Sequence, residues 1–214
     1  MNKKILSIIS ASSTIIIASP SLASGFWDNI NPFIGANIGM ATNSHHHDIA
    51  EKYGVPYSTL KSSLGFAFGA NIGIRFLDES YIYHPGVQFT YERINDPATL
   101  NVATGYGSVD FDVDTKHNLM GGTFDNYIRV IHDEDGLFNN GFIVLGFDLG
   151  HIKSKYEILG YNLDDDGTFY GAKIEYLGEI KNGLGFIIGA KLLKTTTEAL
   201  STIFTSNFEL RYTF

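Results

Sequence analysis

The sequence predicts an all-β chain: a single antiparallel, up-and-down barrel of eight strands that crosses a membrane with its apolar face turned outward. Three observations carry this reading. Eight segments alternate with a period of two, the spacing at which successive side chains point to opposite faces of a strand. In most of them one face holds large apolar residues while the other holds Gly, Asn and charge. Beyond the amino-terminal leader, no apolar run approaches the roughly 20 residues that a spanning helix needs. A soluble barrel with an oily interior would carry far more charge on its outer face. Small and charged side chains suit a narrow lumen, and large apolar ones with Tyr near the strand ends suit a lipid-facing surface.

The chain opens with Lys3 and Lys4, an apolar run over 5–18, a breaker at Pro20, and the small residues Ser21 and Ala23 at minus three and minus one of a signal-peptidase site. The expectation is export with cleavage after Ala23, leaving 24–214 as one barrel domain. The sequence contains no Cys, so this is not a lipid-anchored precursor, and disulfides cannot support the exported fold. Stability must come from a core, a closed hydrogen-bond ladder or lipid. The formal charge of -8 argues against nucleic acid as a partner.

The first segment, 33–41, sets Ile34, Ala36, Ile38 and Met40 against Gly35, Asn37 and Gly39. The second, 64–76, sets Phe66, Phe68, Ile72, Ile74 and Phe76 against Gly65, Gly69, Asn71, Gly73 and Arg75. In the third, 81–93, Tyr83, Val87, Phe89 and Tyr91 oppose His84, Gly86, Gln88 and Glu92. Pro85 cannot donate to a ladder, so the strand begins at Gly86 or a bulge sits there. The fourth, 117–130, alternates least clearly, with Met120, Phe124, Ile128 and Val130 against Leu119, Gly121, Thr123, Asp125 and Tyr127. Segment 141–153 sets Ile143, Leu145, Phe147 and Leu149 against Val144, Gly146, Asp148 and Gly150. Segment 169–180 sets Tyr170, Ala172, Ile174 and Tyr176 against Gly171, Lys173 and Glu175. Segment 185–195 sets Phe186, Ile188, Ala190 and Leu192 against Gly185, Gly189 and Lys191, with Ile187 and Leu193 as exceptions. The last, 203–214, sets Phe204, Phe208, Leu210, Tyr212 and Phe214 against Thr205, Asn207, Glu209, Arg211 and Thr213.

Connections alternate between long and short. The long ones are 42–63, 94–116, 154–168 and 197–201; the short ones are 77–80, 131–140 and 181–183. Within 94–116, Val109, Phe111 and Val113 alternate with Asp110, Asp112 and Asp114, which predicts strands that continue as a hairpin beyond the bilayer.

In architecture, residues 31–214 resemble the eight-stranded outer-membrane proteins typified by the transmembrane domain of OmpA and by the OmpX and Opa-like surface proteins. The terminal assembly signal of that class, a polar residue, a Gly two later and closing aromatics, is matched by Asn207, Tyr212 and Phe214, with Glu209 in place of the Gly. The resemblance implies a Gram-negative outer membrane, with lipid and lipopolysaccharide as surroundings and the barrel-assembly machinery as the reader of Tyr212 and Phe214. Short turns in this class are periplasmic and long loops external, so both termini are expected in the periplasm. Long external loops on a rigid barrel suit a structural role, adhesion to host surface molecules, or both. The alternative is a lipid A deacylase or acyltransferase, since some barrels of this class modify lipid A. His151 and Ser154 are the residues that such a reading would use.

No catalytic residue, cofactor site or metal site is assigned. His45, His46, His47 and Asp48 are metal-ligand types, but three adjacent imidazoles cannot converge on one ion unaided. Asp164, Asp165, Asp166 and Gly167 have the start of a calcium loop without its spacing or closing Glu. Instead the lumen-facing set defines the candidate network: Asp125, Asp148, Glu175 and Glu209 as acids, Arg75, Lys173, Lys191 and Arg211 as bases. In so narrow a space they are expected to pair, with Asn37, Asn71 and Gln88 completing the hydrogen bonds, and so to plug the barrel. Glu92 is expected nearer the outer rim, in solvent.

Overall fold

The computed structural model describes residues 29–45, 58–78, 81–132, 138–158 and 160–214. The chain divides into two units, Met1–Ile30 and Asn31–Phe214, and the second is the barrel. The leader, its cleavage point, and His46, His47 and Asp48 lie outside the described residues.

The strands are β1 (Ile30–His45), β2 (Ser58–Ser62), β3 (Gly65–Phe76), β4 (Tyr83–Thr104), β5 (Gly107–His132), β6 (Phe138–Ile158), β7 (Tyr161–Ile180), β8 (Leu184–Thr195) and β9 (Leu200–Thr213). They run β4-β3-β1-β9-β8-β7-β6-β5, and β5 pairs back onto β4, so the sheet closes into a ring of eight. β2 is the outer piece of the strand that β3 continues: among the described residues it pairs with β4 alone, above the β3 register, and the Ser63 N–H donates to the Pro97 carbonyl at 2.9 Å across the interruption. The ring is sealed between β1 and β9, with Ile34 opposite Tyr212 and Ile38 opposite Phe208. Closure leaves the ring itself without an open edge, which is what a sheet in hydrocarbon requires.

All eight expected segments are strands of this ring. Exposure decides which face is outward: Ile38 is 65% and Phe66 70% exposed, whereas Arg75 is 3% and Asp125 0%. The barrel is therefore inverted relative to a soluble one, oily outside and polar inside. The two exceptions in the seventh segment, Ile187 and Leu193, are buried in the lumen. The fourth alternates weakly because the apolar Leu119 and Tyr127 stand at buried positions and Gly122 at an outward one. β5 bulges between Arg129 and Ile131, so the adjacent Val130 and Ile131 both face out. No bulge accompanies Pro85. It pairs with Asn126 of β5, one step below the first β3 partner of β4 at Gly86, where β4 has a neighbour on one side alone.

The connections 94–116 and 154–168 are not loops. β4 and β5 reach 22 and 26 residues, against about 9–11 for a strand to cross a bilayer. They meet in a turn at Gly105 and Tyr106. β6 and β7 likewise extend to a turn before Tyr161. At the opposite end, β7 and β8 join through a single 3-10 turn, Lys181–Gly183, in which Asn182 (φ 72) and Gly183 (φ 78) adopt the left-handed conformation that these residue types tolerate best.

Candidate functional site: a layered lumen beneath a charged extension

Along the barrel axis the interior is a stack of alternating apolar and polar layers. Nearest the termini, Tyr127, Phe142, Val144, Leu177 and Ile187 form an apolar plug with Leu77 against it. The Arg75 guanidinium lies 4.9 Å from the Phe142 ring centre and 5.3 Å from that of Tyr127, and its Nη2 is 2.6 Å from Glu179 Oε1.

Above the plug lies the charged layer. Arg211 donates from Nε to Glu209 Oε1 at 2.8 Å, from Nη1 to the Tyr127 hydroxyl at 2.8 Å and from Nη2 to Gln88 Oε1 at 3.3 Å, while its guanidinium stacks 3.9 Å from the Phe33 ring centre. Asn71 donates to the other Glu209 oxygen at 2.8 Å. The Lys173 ammonium is shared between Asp125 Oδ1 at 3.1 Å and Glu175 Oε2 at 2.9 Å, and Asn207 donates to Glu175 at 3.2 Å. Lys191 pairs with Glu92, and the Thr123 hydroxyl donates to Asp148. Several lumen glycines are spaces reserved for these groups. A Cβ at Gly35 would collide with the Glu209 carboxylate, and one at Gly146 with Asp125 and Lys173.

The structure thus gathers Asp125, Lys173, Glu175, Lys191, Glu209 and Arg211 into one layer. Arg75 stands apart with Glu179, and Asp148 is held by a hydroxyl. Glu92 is corrected: it is 3% exposed, because the next layer covers it. That layer is apolar, with Ala41, Ala67, Ile94, Leu119, Ile152, Phe169, Leu193, Leu200 and Ile203 crossing the lumen. Between it and the charges lies a cavity of about 20 Å³ lined by Glu92, Leu119, Asp148, Phe169 and Lys191 among others, room for about one water. The larger depression, about 480 Å³, opens at the terminal end beside Arg75, Glu179 and Phe214.

Further out is a second polar layer that the sequence did not assemble. His117 Nδ1 lies 2.8 Å from Ser154 Oγ, and its Nε2 lies 3.1 Å from Asp96 Oδ1. Asp96 also accepts from Thr115 at 2.5 Å and from Asn43 at 2.8 Å. Burial opposes the Asp96 charge, yet the hydrogen bond and charge of His117, with the bonds from Thr115 and Asn43, hold its carboxyl below the usual range. The connectivity is that of a Ser-His-Asp relay. Its setting is not a cleft: Ser154 and His117 are fully buried, roofed by a third apolar layer of Ala98, Leu100, Val113, Tyr156 and Ala199. His151 and Ser154 are not brought together, since His151 faces outward and Ser154 inward.

No protein-family model and no curated protein sequence matches the chain. Solved structures do. Neisserial surface protein A aligns over 86% of this chain and 97% of its own, with a TM-score of 0.55 and 12% identity. The outer membrane protease OmpT from Escherichia coli aligns over 91% and 99%, with a TM-score of 0.50 and 11% identity. The attachment invasion locus protein Ail of Yersinia pestis, solved with the heparin analogue sucrose octasulfate, aligns over 86% and 99%, with a TM-score of 0.42 and 14% identity. The fold is that of an outer-membrane β-barrel.

The belt of exposed apolar residues gives way to charge on the extension. On the extension, Asp110, Asp112 and Asp114 face out, and Asp110 accepts from Asn101 at 2.5 Å. Asp164, Asp165 and Asp166 lie on strand β7, not in a loop. Asp165 accepts the backbone N–H of Ala199 at 2.9 Å, tying the β6–β7 hairpin to the β8–β9 turn. His45 Nε2 lies 2.6 Å from Ser62 Oγ. Among the described residues, no group of three or more His, Asp or Glu is arranged to hold a metal ion. At the closing end of the barrel, the Tyr212 and Phe214 rings meet edge to face, 5.2 Å between centres, on the lipid side.

Proposed function

We propose that the protein is a closed surface barrel of a Gram-negative outer membrane, exported on a leader cleaved after Ala23, with both termini periplasmic and the paired hairpins outside. Its role is structural and adhesive: the barrel anchors a rigid β extension whose charged outer surface meets lipopolysaccharide and host surface molecules. Tyr212 and Phe214 are the residues through which the assembly machinery recognises it. The observation that carries this reading is the stack of layers across a lumen surrounded by an apolar belt. A filled interior offers no diffusion path, so the surface is left as the working part.

Planar-bilayer recording of the purified protein tests the closed lumen. Silence or small rare openings are expected, whereas large, stable, porin-like conductance would overturn it. Whole cells lacking residues 98–113 of the β4–β5 hairpin should bind host cells or matrix less than cells carrying the full chain; equal binding would remove the adhesive role from that hairpin.

The relay formed by Ser154, His117 and Asp96 favours one second reading, a lipid A-modifying hydrolase. Its burial between two apolar layers argues for a structural polar layer instead. Mass spectrometry of lipid A incubated with purified protein distinguishes the two: no mass change supports the surface-protein reading, and loss of an acyl chain that disappears in Ser154→Ala would establish the enzyme.

A further inference from the structure

The charged layer of the lumen does not balance. Among the described residues, Asp125, Asp148, Glu175, Glu209 and Glu92 are buried in it, against Lys173, Lys191 and Arg211. Arg75 is taken by Glu179. Apolar layers close the stack on both sides, so bulk water does not screen the carboxylates in excess. A charge buried in this way is paired or coordinates a metal ion.

The deficit falls on Asp148. Asp125 and Glu175 share Lys173, Glu209 holds Arg211, and Glu92 holds Lys191. Asp148 is only 7% exposed, yet the partner it has is the Thr123 hydroxyl, which donates to Oδ1. Its Oδ2 is enclosed and without a hydrogen-bond partner, and so is Thr90 Oγ1. Both residues line the same cavity of about 20 Å³, with Glu92, Thr123 and Lys191 also in its wall. We propose that this cavity binds a bare monovalent cation of sodium or potassium size, held by Asp148 Oδ2 and Thr90 Oγ1. Room for about one water admits an alkali ion stripped of its hydration shell and excludes a hydrated one. Calcium takes about six to eight oxygens, and magnesium keeps several of its waters, so neither fits a wall with two carboxylates and so little space. The Lys191 ammonium in that wall, already spent on Glu92, also opposes a second positive charge. A single water is the competing occupant; it would satisfy both oxygens and leave the charge of Asp148 uncompensated. Because apolar layers cover the site on both sides, the ion enters as the barrel folds. The inference depends on the layered lumen and not on the adhesive role.

The test is urea titration of the full-length protein folded in zwitterionic lipid vesicles, in sodium, potassium, magnesium or choline chloride at equal ionic strength. Choline is too large for the cavity. An alkali ion at about ten times its dissociation constant shifts the folding equilibrium roughly elevenfold, so the midpoint in sodium or potassium should stand about 0.5 M above that in choline. Asp148→Asn, which keeps the shape and removes the charge, should have one midpoint in all four salts, and Thr90→Val should narrow the difference. Asp112→Asn, on the outer face of the extension, should keep it in full. Equal wild-type midpoints in choline and in both alkali salts would overturn the site and leave a water in the cavity. An alkali effect undiminished in Asp148→Asn and Thr90→Val would overturn it too, as would a larger stabilisation by magnesium that Asp148→Asn abolishes. Each variant is also run on a detergent gel with and without boiling. If Asp148→Asn shows no shift and so has not folded, Thr90→Val decides: an undiminished alkali effect there overturns the site, and a narrowed one supports it.

Discussion

The same strands obey opposite rules at their two ends. In the belt, β5 turns Met120 and Phe124 outward and Thr123 and Asp125 inward; in the extension it turns Asp112, Asp114 and Lys116 outward and Val113 inward. Backbone and period do not change between them. What changes is the medium outside, lipid below and water above, and the face that meets it changes with it. The interiors differ accordingly. The belt encloses a charged layer that needs every partner it has, whereas the extension encloses a small conventional core of Ala98, Leu100, Val113 and Tyr156. The apolar layer between, with Ile94 and Leu119 among its members, is the floor on which the extension stands.

The largest effect should come from breaking the charged layer. Glu209→Ala and Glu92→Ala should each lower stability by roughly 3 to 5 kcal/mol, because each strands a buried cation, Arg211 or Lys191. Urea titration of protein folded in lipid vesicles measures this, and a cost below about 1 kcal/mol for Glu92→Ala, the usual value of an exposed pair, would return that residue to solvent. Next comes a charge in the belt: Ile38→Lys should cost about 2–4 kcal/mol if that position lies near the bilayer midplane.

The outer polar layer should be cheaper to disturb and sensitive to acid. His117→Ala, which leaves Asp96 and Ser154 short of a partner, should cost about 1–3 kcal/mol. Because the folded Asp96 carboxyl titrates lower than it would in the unfolded chain, its contribution is complete above the unfolded value, near about 3.9, and is lost as pH falls through the folded one. Hydrogen exchange of the β4–β5 amides should therefore quicken below about pH 4, and Asp96→Asn should flatten that acid limb. An unchanged acid limb in Asp96→Asn would show that the layer does not hold the hairpin. Smallest of all, Asp112→Asn on the outer face of the extension should stay within about 0.5 kcal/mol of the wild type.

The period of two made the strands legible, and side-chain size made the lipid face legible, because lipid leaves no ambiguity about what may face it. The extension was harder to read. Over 94–116 the outward positions turn charged just where the bilayer ends, so most of that stretch resembles a loop, and only the alternation of Val109, Phe111 and Val113 with three Asp betrayed a hairpin. Position along the strand puts Glu92 near the rim, but the apolar floor above it seals it from solvent. That floor is built by Ile94, Leu119, Ile152 and Leu193, one lumen-facing residue from each of four strands. Asp96, His117 and Ser154 come from three strands, and only the register across β4, β5 and β6 brings them together.

The reversal of polarity along β5 can be mapped directly, since the chain has no Cys and single Cys residues can be introduced one at a time. Nitroxides placed at the outward positions Asp112, Asp114, Lys116, Asn118, Met120 and Phe124 of protein reconstituted in liposomes should be accessible to a water-soluble relaxation agent as far as Lys116, and to oxygen dissolved in lipid from Met120 onward. Water accessibility along the whole series, or lipid accessibility at Asp112 and Asp114, would contradict the account.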